Sequence, residues 1–194
     1  MALRKPEYYM YDDLLKMDGD KRYEIIDGEI YMMASPSNVH QWIVGEIFIQ
    51  LGNFLRGKRC IPFISPIDVR LNADKPGKRD DTVVQPDIIV VCDRNKLDKK
   101  GRGIKGAPDL VVEILSPSTA YRDRLIKHQK YQESGVREYW LVDPHNKTLE
   151  VMIFEDGAEK DKKIYHSEEV VSVQVLEGCE IDLAAVFRDV EDFE

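Results

Sequence analysis

The sequence predicts an α/β (α+β) chain. Its core reads as helix, three strands, helix and strand in a mixed sheet, with hairpins added on the N- and C-terminal sides. Three observations carry this reading. Val39, Ile43, Ile47, Leu51 and Leu55 recur every four residues, the stripe of an amphipathic helix. Near-continuous apolar runs then fall at 82–92, 109–115 and 137–142, the mark of strands covered on both faces. Between the last two lies a helix-length stretch opened by Ser116-Pro117-Ser118-Thr119 and closed by Gly135. With 194 residues and 43% hydrophobic composition, one domain over 1–194 is expected, its core at about 38–143.

The elements follow in order. Residues 8–17 can form a short helix. At 22–33, two apolar-rich runs flank Asp27-Gly28, a pair that tolerates positive φ and suits a type I′ hairpin turn. Asn38 can cap the long helix, which should stop near Gly57. The strand at 59–71 is interrupted by Ser65-Pro66. Residues 144–147 read as a turn into a strand at 148–154. More strand patterning follows from about 159, and a last helical turn is expected at 183–187.

Composition excludes several classes. The formal net charge is -8, which argues against tight, sequence-blind nucleic-acid binding but not against an enzyme that meets a phosphodiester through a metal ion. No apolar run exceeds five residues, far short of the roughly 18 a membrane span needs, so no membrane partner is expected. Residues 1–13 carry Arg4 and Lys5 without a following apolar stretch, so no signal peptide is expected. The cysteines, Cys60, Cys92 and Cys179, are odd in number, widely spaced and without a CxxC pair. They read as buried small apolar residues with no disulfide framework and no zinc cluster, and so point to a reducing cytoplasm.

Two acids interrupt apolar strands: Asp87 in the run 83–91, and Glu113 in the run 110–115. An ionised carboxylate in such a place costs several kcal/mol unless paired or metal-bound; the alternative is a half-exposed strand with the acid facing water. If the two strands are antiparallel, the chain leaves Asp87 and returns to Glu113 over nearly equal lengths. Both then lie at one end, within reach of a shared ion, and oxygen ligands suit Mg²⁺ or Mn²⁺. Asp123, Lys127 and Tyr131 share a helix face at four-residue spacing, so Lys127 is the complementary cation; a plain surface Asp–Lys pair is the alternative.

Pro86-Asp87, Glu113 and a helical lysine in this core order resemble the PD-(D/E)XK nuclease superfamily. A wider string resembles the Uma-two family of restriction-endonuclease-like proteins over about residues 7–155. It comprises Tyr23-Glu24-Ile25-Ile26-Asp27-Gly28-Glu29, His40-Gln41, Val84-Gln85-Pro86-Asp87, the run Pro108-Asp109-Leu110 through Ser118-Thr119, and Gly135-Val136-Arg137-Glu138-Tyr139-Trp140 through Pro144. The resemblance implies a restriction-endonuclease-like core and a Mg²⁺- or Mn²⁺-dependent hydrolase of phosphodiester bonds, most simply a DNA endonuclease. Asp87, Glu113 and Lys127 would be its catalytic residues, Asp87 and Glu113 its metal ligands, and a backbone carbonyl near Ile114 a third ligand. The superfamily's usual lysine lies two residues after the glutamate, where this chain has Leu115; Lys127 is its proposed replacement from the next helix. Glu24 and Gln85 are auxiliary candidates. His40, at the start of the long helix, reads as a capping or satisfied histidine outside the catalytic set.

Residues 93–105 hold six basic and two acidic side chains, a local balance of +4. Lys99, Lys100 and Arg102 could contact phosphates, or the loop is simply solvated. Arg122 and Arg124 form a second basic face beside the proposed site. Tyr139 and Trp140 should pack on opposite faces of one strand. The competing function is a non-catalytic module for nucleic acid or protein. DNA is the expected partner of the enzyme reading, and a homodimer would let it cut two strands.

Overall fold

The computed structural model describes residues 7–17, 21–99 and 103–193. Its elements are α1 (Tyr11–Leu14), β1 (Tyr23–Ile26), β2 (Glu29–Met32), α2 (Asn38–Leu55), β3 (Ile61–Ile64), β4 (Val69–Arg70), β5 (Val83–Val84), β6 (Ile88–Val91), β7 (Ile104–Lys105), β8 (Leu110–Ile114), a π-helical turn (Arg122–Lys127) running into α3 (His128–Ser134), β9 (Glu138–Asp143), β10 (Thr148–Glu155), β11 (Ala158–His166), β12 (Val170–Ser172), β13 (Glu180–Asp182) and α4 (Leu183–Val186). This is the mixed α/β architecture the sequence predicts.

The central sheet has six strands in the order β11-β10-β9-β8-β6-β3. Only β8 and β9 run parallel within it, and the helix from the π turn to α3 supplies the crossover a parallel pair requires. The inner strands β6, β8 and β9 are buried on both faces, which is why they read as apolar runs, whereas the edge strand β11 is exposed along most of its length. Leu110, Val112 and Ile114 pack with α2 and the C-terminal segment, while Val111 and Leu115 pack on the other side with Tyr131 and the second sheet. Trp140 and Tyr139 divide between the same two faces, as strand alternation demands.

A second, five-stranded sheet, β2-β1-β5-β4-β7, corrects the expectation of one strand over 82–92, while the 59–71 strand breaks at Ser65-Pro66 as expected. Each breaks: β3 and β6 stay in the central sheet, while β4 and β5 cross to the second one. The hairpin β1–β2 turns on Asp27 and Gly28, with φ of 52° and 81°, the type I′ geometry. Glycine is required there, because an added Cβ would lie 2.5 Å from the Tyr8 ring. Ser37, not Asn38, caps α2 by accepting the His40 N–H at 3.2 Å.

The cysteine expectation is overturned in part. Cys60 and Cys92 form a disulfide, and only Cys179 is free and buried. The cause is register. Antiparallel pairing of β3 with β6 sets Ile61 opposite Val91, and one step outward sets Cys60 opposite Cys92. The bridge removes one support for a reducing compartment. No helix among the described residues is long and apolar enough to cross a membrane.

Candidate active site

The pairing of β6 with β8 builds the site. Ile88 faces Val112, Ile89 faces Val111 and Val90 faces Leu110, so one step beyond the ladder Asp87 stands across from Glu113. Alternation puts both on the face that carries Ile89 and Val111, toward the helix after β8. That helix is held by its entry turn. The Ser116 N–H donates to Thr119 Oγ1 at 3.3 Å, and the Ala120 N–H donates to the Ser116 carbonyl at 2.9 Å. It opens as a π turn in which the His128 N–H reaches back five residues to the Asp123 carbonyl. The Tyr139 hydroxyl donates to that same carbonyl at 3.0 Å. Single π turns inside α-helices are frequent at functional sites.

Lys127 is 3% exposed. Its Nζ lies 2.7 Å from Glu24 Oε1, 2.9 Å from Glu113 Oε1 and 3.5 Å from Asp123 Oδ1. The simple surface Asp–Lys pair is therefore replaced by a buried amine among three carboxylates. Burial alone would lower the lysine's pKa, but Glu113, Glu24 and Asp123 hold it well above its ordinary value. Glu113 also accepts the Tyr131 hydroxyl on Oε1 at 2.6 Å. Burial pushes its carboxyl well above the ordinary range; Lys127 pulls the other way, and Asp123, Asp87 and Glu24 add to the rise. Burial likewise raises Asp123 against the pull of Lys127, and raises the Tyr131 hydroxyl beside Glu113.

Asp87 is fixed through one oxygen. Its Oδ2 accepts the Ile114 N–H at 2.8 Å and lies 3.1 Å from His40 Nε2. Neither Asp87 Oδ1 nor Glu113 Oε2 has a hydrogen-bond partner among the described residues. Glu24 comes from the second sheet. Besides Lys127, it accepts the Gln85 N–H at 2.9 Å and pairs with Arg122 at 3.4 Å. The Gln85 side chain donates to Asp68 at 2.9 Å and accepts from Arg22 Nε at 2.9 Å. A cavity of about 700 Å³ opens over this group, lined among others by Glu24, Gln85, Asp87, Glu113, Arg122 and Lys127.

The structure thus brings together Asp87, Glu113, Lys127, Glu24 and Gln85, with Arg122 at their edge. Arg124 lines the cavity too, but its guanidinium is paired with Glu150 and, at 3.6 Å, with Asp143. The described part of the 93–105 loop, 93–99 and 103–105, lies elsewhere. It leaves the Val91 end of β6, opposite the Asp87 end, where Lys96 Nζ donates to the Ala107 carbonyl at 2.6 Å. Lys99 is exposed, and Lys100 and Arg102 lie outside the described residues. His40 is only half satisfied, against the sequence expectation: Nε2 lies 3.1 Å from Asp87 Oδ2, while Nδ1 is buried without a hydrogen-bond partner among the described residues, so the residue belongs to the site. Its four-residue offset from the buried Val44 was the available signal.

The residues present can accept a divalent ion. Each of the two facing carboxylates keeps one oxygen without a partner among the described residues, and four carboxyl groups, the buried Glu24, Glu113 and Asp123 and the partly buried Asp87, gather beside two cations, Lys127 and Arg122. Among the described residues there is no ready-made group of three or more His, Cys, Asp or Glu ligands. Magnesium often binds through one or two carboxylates, with water and substrate phosphate filling the remaining positions.

The profile of the Uma2 family, described as "Putative restriction endonuclease", matches residues 7–184. The chain belongs to the Uma2 family. Among similar proteins is an uncharacterized protein of Synechocystis sp., 28% identical over 140 residues, covering 72% of this chain and 67% of that one. A solved structure described as "a putative nuclease belonging to DUF820" from Anabaena variabilis superposes with a TM-score of 0.70 at 20% identity. The match covers 94% of this chain and 99% of that one, and it shows that the Uma2 chain has that protein's fold.

Proposed function

We propose that this Uma2 protein is a divalent-metal-dependent phosphodiesterase, most specifically a DNA endonuclease of PD-(D/E)XK type. One observation carries the reading: two carboxylates facing across an antiparallel strand pair share the wall of one cavity with a buried lysine held by three acids. Asp87 and Glu113 would hold Mg²⁺ or Mn²⁺ through their unpartnered oxygens. Ile114 would add its carbonyl, because its N–H already faces Asp87 and a strand residue directs both groups to one edge. When bound, such an ion polarises a phosphoryl oxygen and lowers the pKa of attacking water.

The chain's own residues supply the rest. The Ile114 N–H and His40 hold Asp87 in one orientation. Tyr131 and Lys127 do the same for Glu113, leaving the opposite oxygen for the ion. Lys127, fixed as a cation, orients the attacking water or offsets charge building on the phosphoryl group, in a site whose donors need no rearrangement during reaction. The π turn and the Tyr139 bond to the Asp123 carbonyl keep the lysine's helix at this depth.

The test is a cleavage assay on plasmid, linear duplex and single-stranded DNA with Mg²⁺ or Mn²⁺, beside Asp87→Ala. Metal-dependent cleavage lost in Asp87→Ala is expected. An inactive parent that binds DNA or protein without metal would support the binding-module reading instead.

A further inference from the structure

Among the described residues, four Lys and Arg side chains line the cavity: Arg22, Arg122, Arg124 and Lys127. Three are already matched by acids. Lys127 sits on Glu24, Glu113 and Asp123, Arg122 on Glu24, and Arg124 on Glu150 and Asp143. Arg22 has no carboxylate partner among the described residues. Its Nε donates to Gln85 Oε1 at 2.9 Å, and one terminal nitrogen donates to Ser65 Oγ.

Both partners are neutral, so they fix the guanidinium without cancelling its charge. Both also belong to the Asp87 wall. Gln85 lies two residues before Asp87, and the Ser65 N–H donates to the Asp87 carbonyl at 3.0 Å. The Arg22 backbone is pinned as well, its carbonyl accepting the Met33 N–H at 2.9 Å. A guanidinium has five N–H donors. Two are used here, so three remain on a partly buried, pre-oriented cation at the cavity wall.

We propose that Arg22 is the phosphate anchor of this site, gripping a phosphodiester oxyanion of the bound nucleic acid beside the Asp87–Glu113 pair. The proposal rests on the nuclease reading of the site. It also explains how a chain of net charge -8 presents positive charge to a polyanion: locally, through one guanidinium left unmatched where every neighbouring cation is neutralised. Arginine suits the task because its planar fork can take two phosphate oxygens at once, whereas lysine acts as a point charge.

The experiment measures binding of a fluorescein-labelled 20-nucleotide single strand, and of its duplex, across a KCl series in Ca²⁺ and in EDTA. The chains compared are the parent, Arg22→Met, Arg22→Lys and Arg137→Met, the last removing an exposed charge that pairs with Asp109 at the far end of β9. Arg22→Met should weaken affinity about tenfold, the loss of a charge-assisted bond. It should also reduce the salt slope by roughly 0.7–0.9, one phosphate contact's share. Arg22→Lys should keep the slope and lose part of the affinity, while Arg137→Met should match the parent. Parent-like affinity and slope in Arg22→Met, or equal losses in Arg22→Met and Arg137→Met, would overturn the anchor and leave the nuclease reading standing. If Arg22→Met does not fold, Arg22→Lys decides: parent-like affinity overturns the proposal, and a several-fold loss at unchanged slope supports it. A parent that binds neither probe in either condition overturns both.

Discussion

Glu113 and Glu138 lie on neighbouring parallel strands, both buried, and their surroundings differ in kind. Glu138 is fully buried and accepts Trp140 Nε1–H at 2.7 Å and the Val175 N–H at 2.9 Å. Its donors are neutral and no other acid presses on it, so burial raises its carboxyl while those hydrogen bonds pull it back. Glu113 shares a lysine with two other acids, faces a third, and opens on a cavity. A buried acid is therefore not a site in itself. The site is marked by like charges gathered round one cation, an arrangement that opposes folding and persists here beside open space.

Lys127→Met should break this comparison most sharply. Removing one member of a buried ion cluster costs about 3–5 kcal/mol, readable by urea denaturation at neutral pH. Turnover should fall on the order of 100-fold or more, as for loss of one pre-oriented electrostatic group. Adding Glu113→Gln to Lys127→Met should return part of the stability, since one uncompensated carboxylate is gone, and none of the turnover. Glu138→Gln should leave turnover at the parent level.

Replacing Cys60 and Cys92 by alanine separates the two ends of the β3–β6 pair. The typical value for a disulfide is about 2–4 kcal/mol. Thermal unfolding without reductant should show a loss of that order, while metal titration at the Asp87 end stays unchanged.

A smaller effect appears in pH dependence. The Glu138 carboxyl is raised in the folded chain, so its contribution to stability is complete below the ordinary glutamate range and is lost as pH rises through the raised folded value. The stability of the parent relative to Glu138→Gln should therefore decline from about pH 4 upward, as measured by denaturation at several pH values. A difference that grew with pH would contradict the assignment. The smallest effect is expected from reversing Lys99, Lys100 and Arg102 to Glu. Nucleic-acid affinity and its salt slope should fall modestly, with metal binding spared, because the loop leaves the opposite end of β6. Unchanged affinity at low salt would mark that loop as solvated surface.

Much of this arrangement was legible because its signals are local. Asp87 and Glu113 stand out as acids in apolar runs, and the matched lengths on either side of the intervening loop place them together once the strands are antiparallel. Lys127 follows from its spacing to Asp123 and Tyr131. The second sheet was not legible: Val69–Arg70, Val83–Val84 and Ile104–Lys105 are too short to show alternation. The Cys60–Cys92 bridge depends on the register of strands far apart in sequence. Asp87 as the partner of His40 depends on how the start of α2 docks, which no periodicity encodes. Glu138 shows the converse: it follows Arg137 at the start of its strand, where an acid would be read as facing water, yet it is fully buried on the Trp140 and Val175 N–H donors.

The central claim is that Asp87 and Glu113 share one divalent ion while Glu138 does not. Calorimetric titration with Mn²⁺ of the parent, Asp87→Asn, Glu113→Gln and Glu138→Gln tests it directly. Both site variants should lose most of the binding heat, and in metal-free buffer be as stable as the parent or more so, because each relieves like-charge repulsion. Glu138→Gln should bind as the parent does. Parent-like Mn²⁺ affinity in either Asp87→Asn or Glu113→Gln would contradict the shared site.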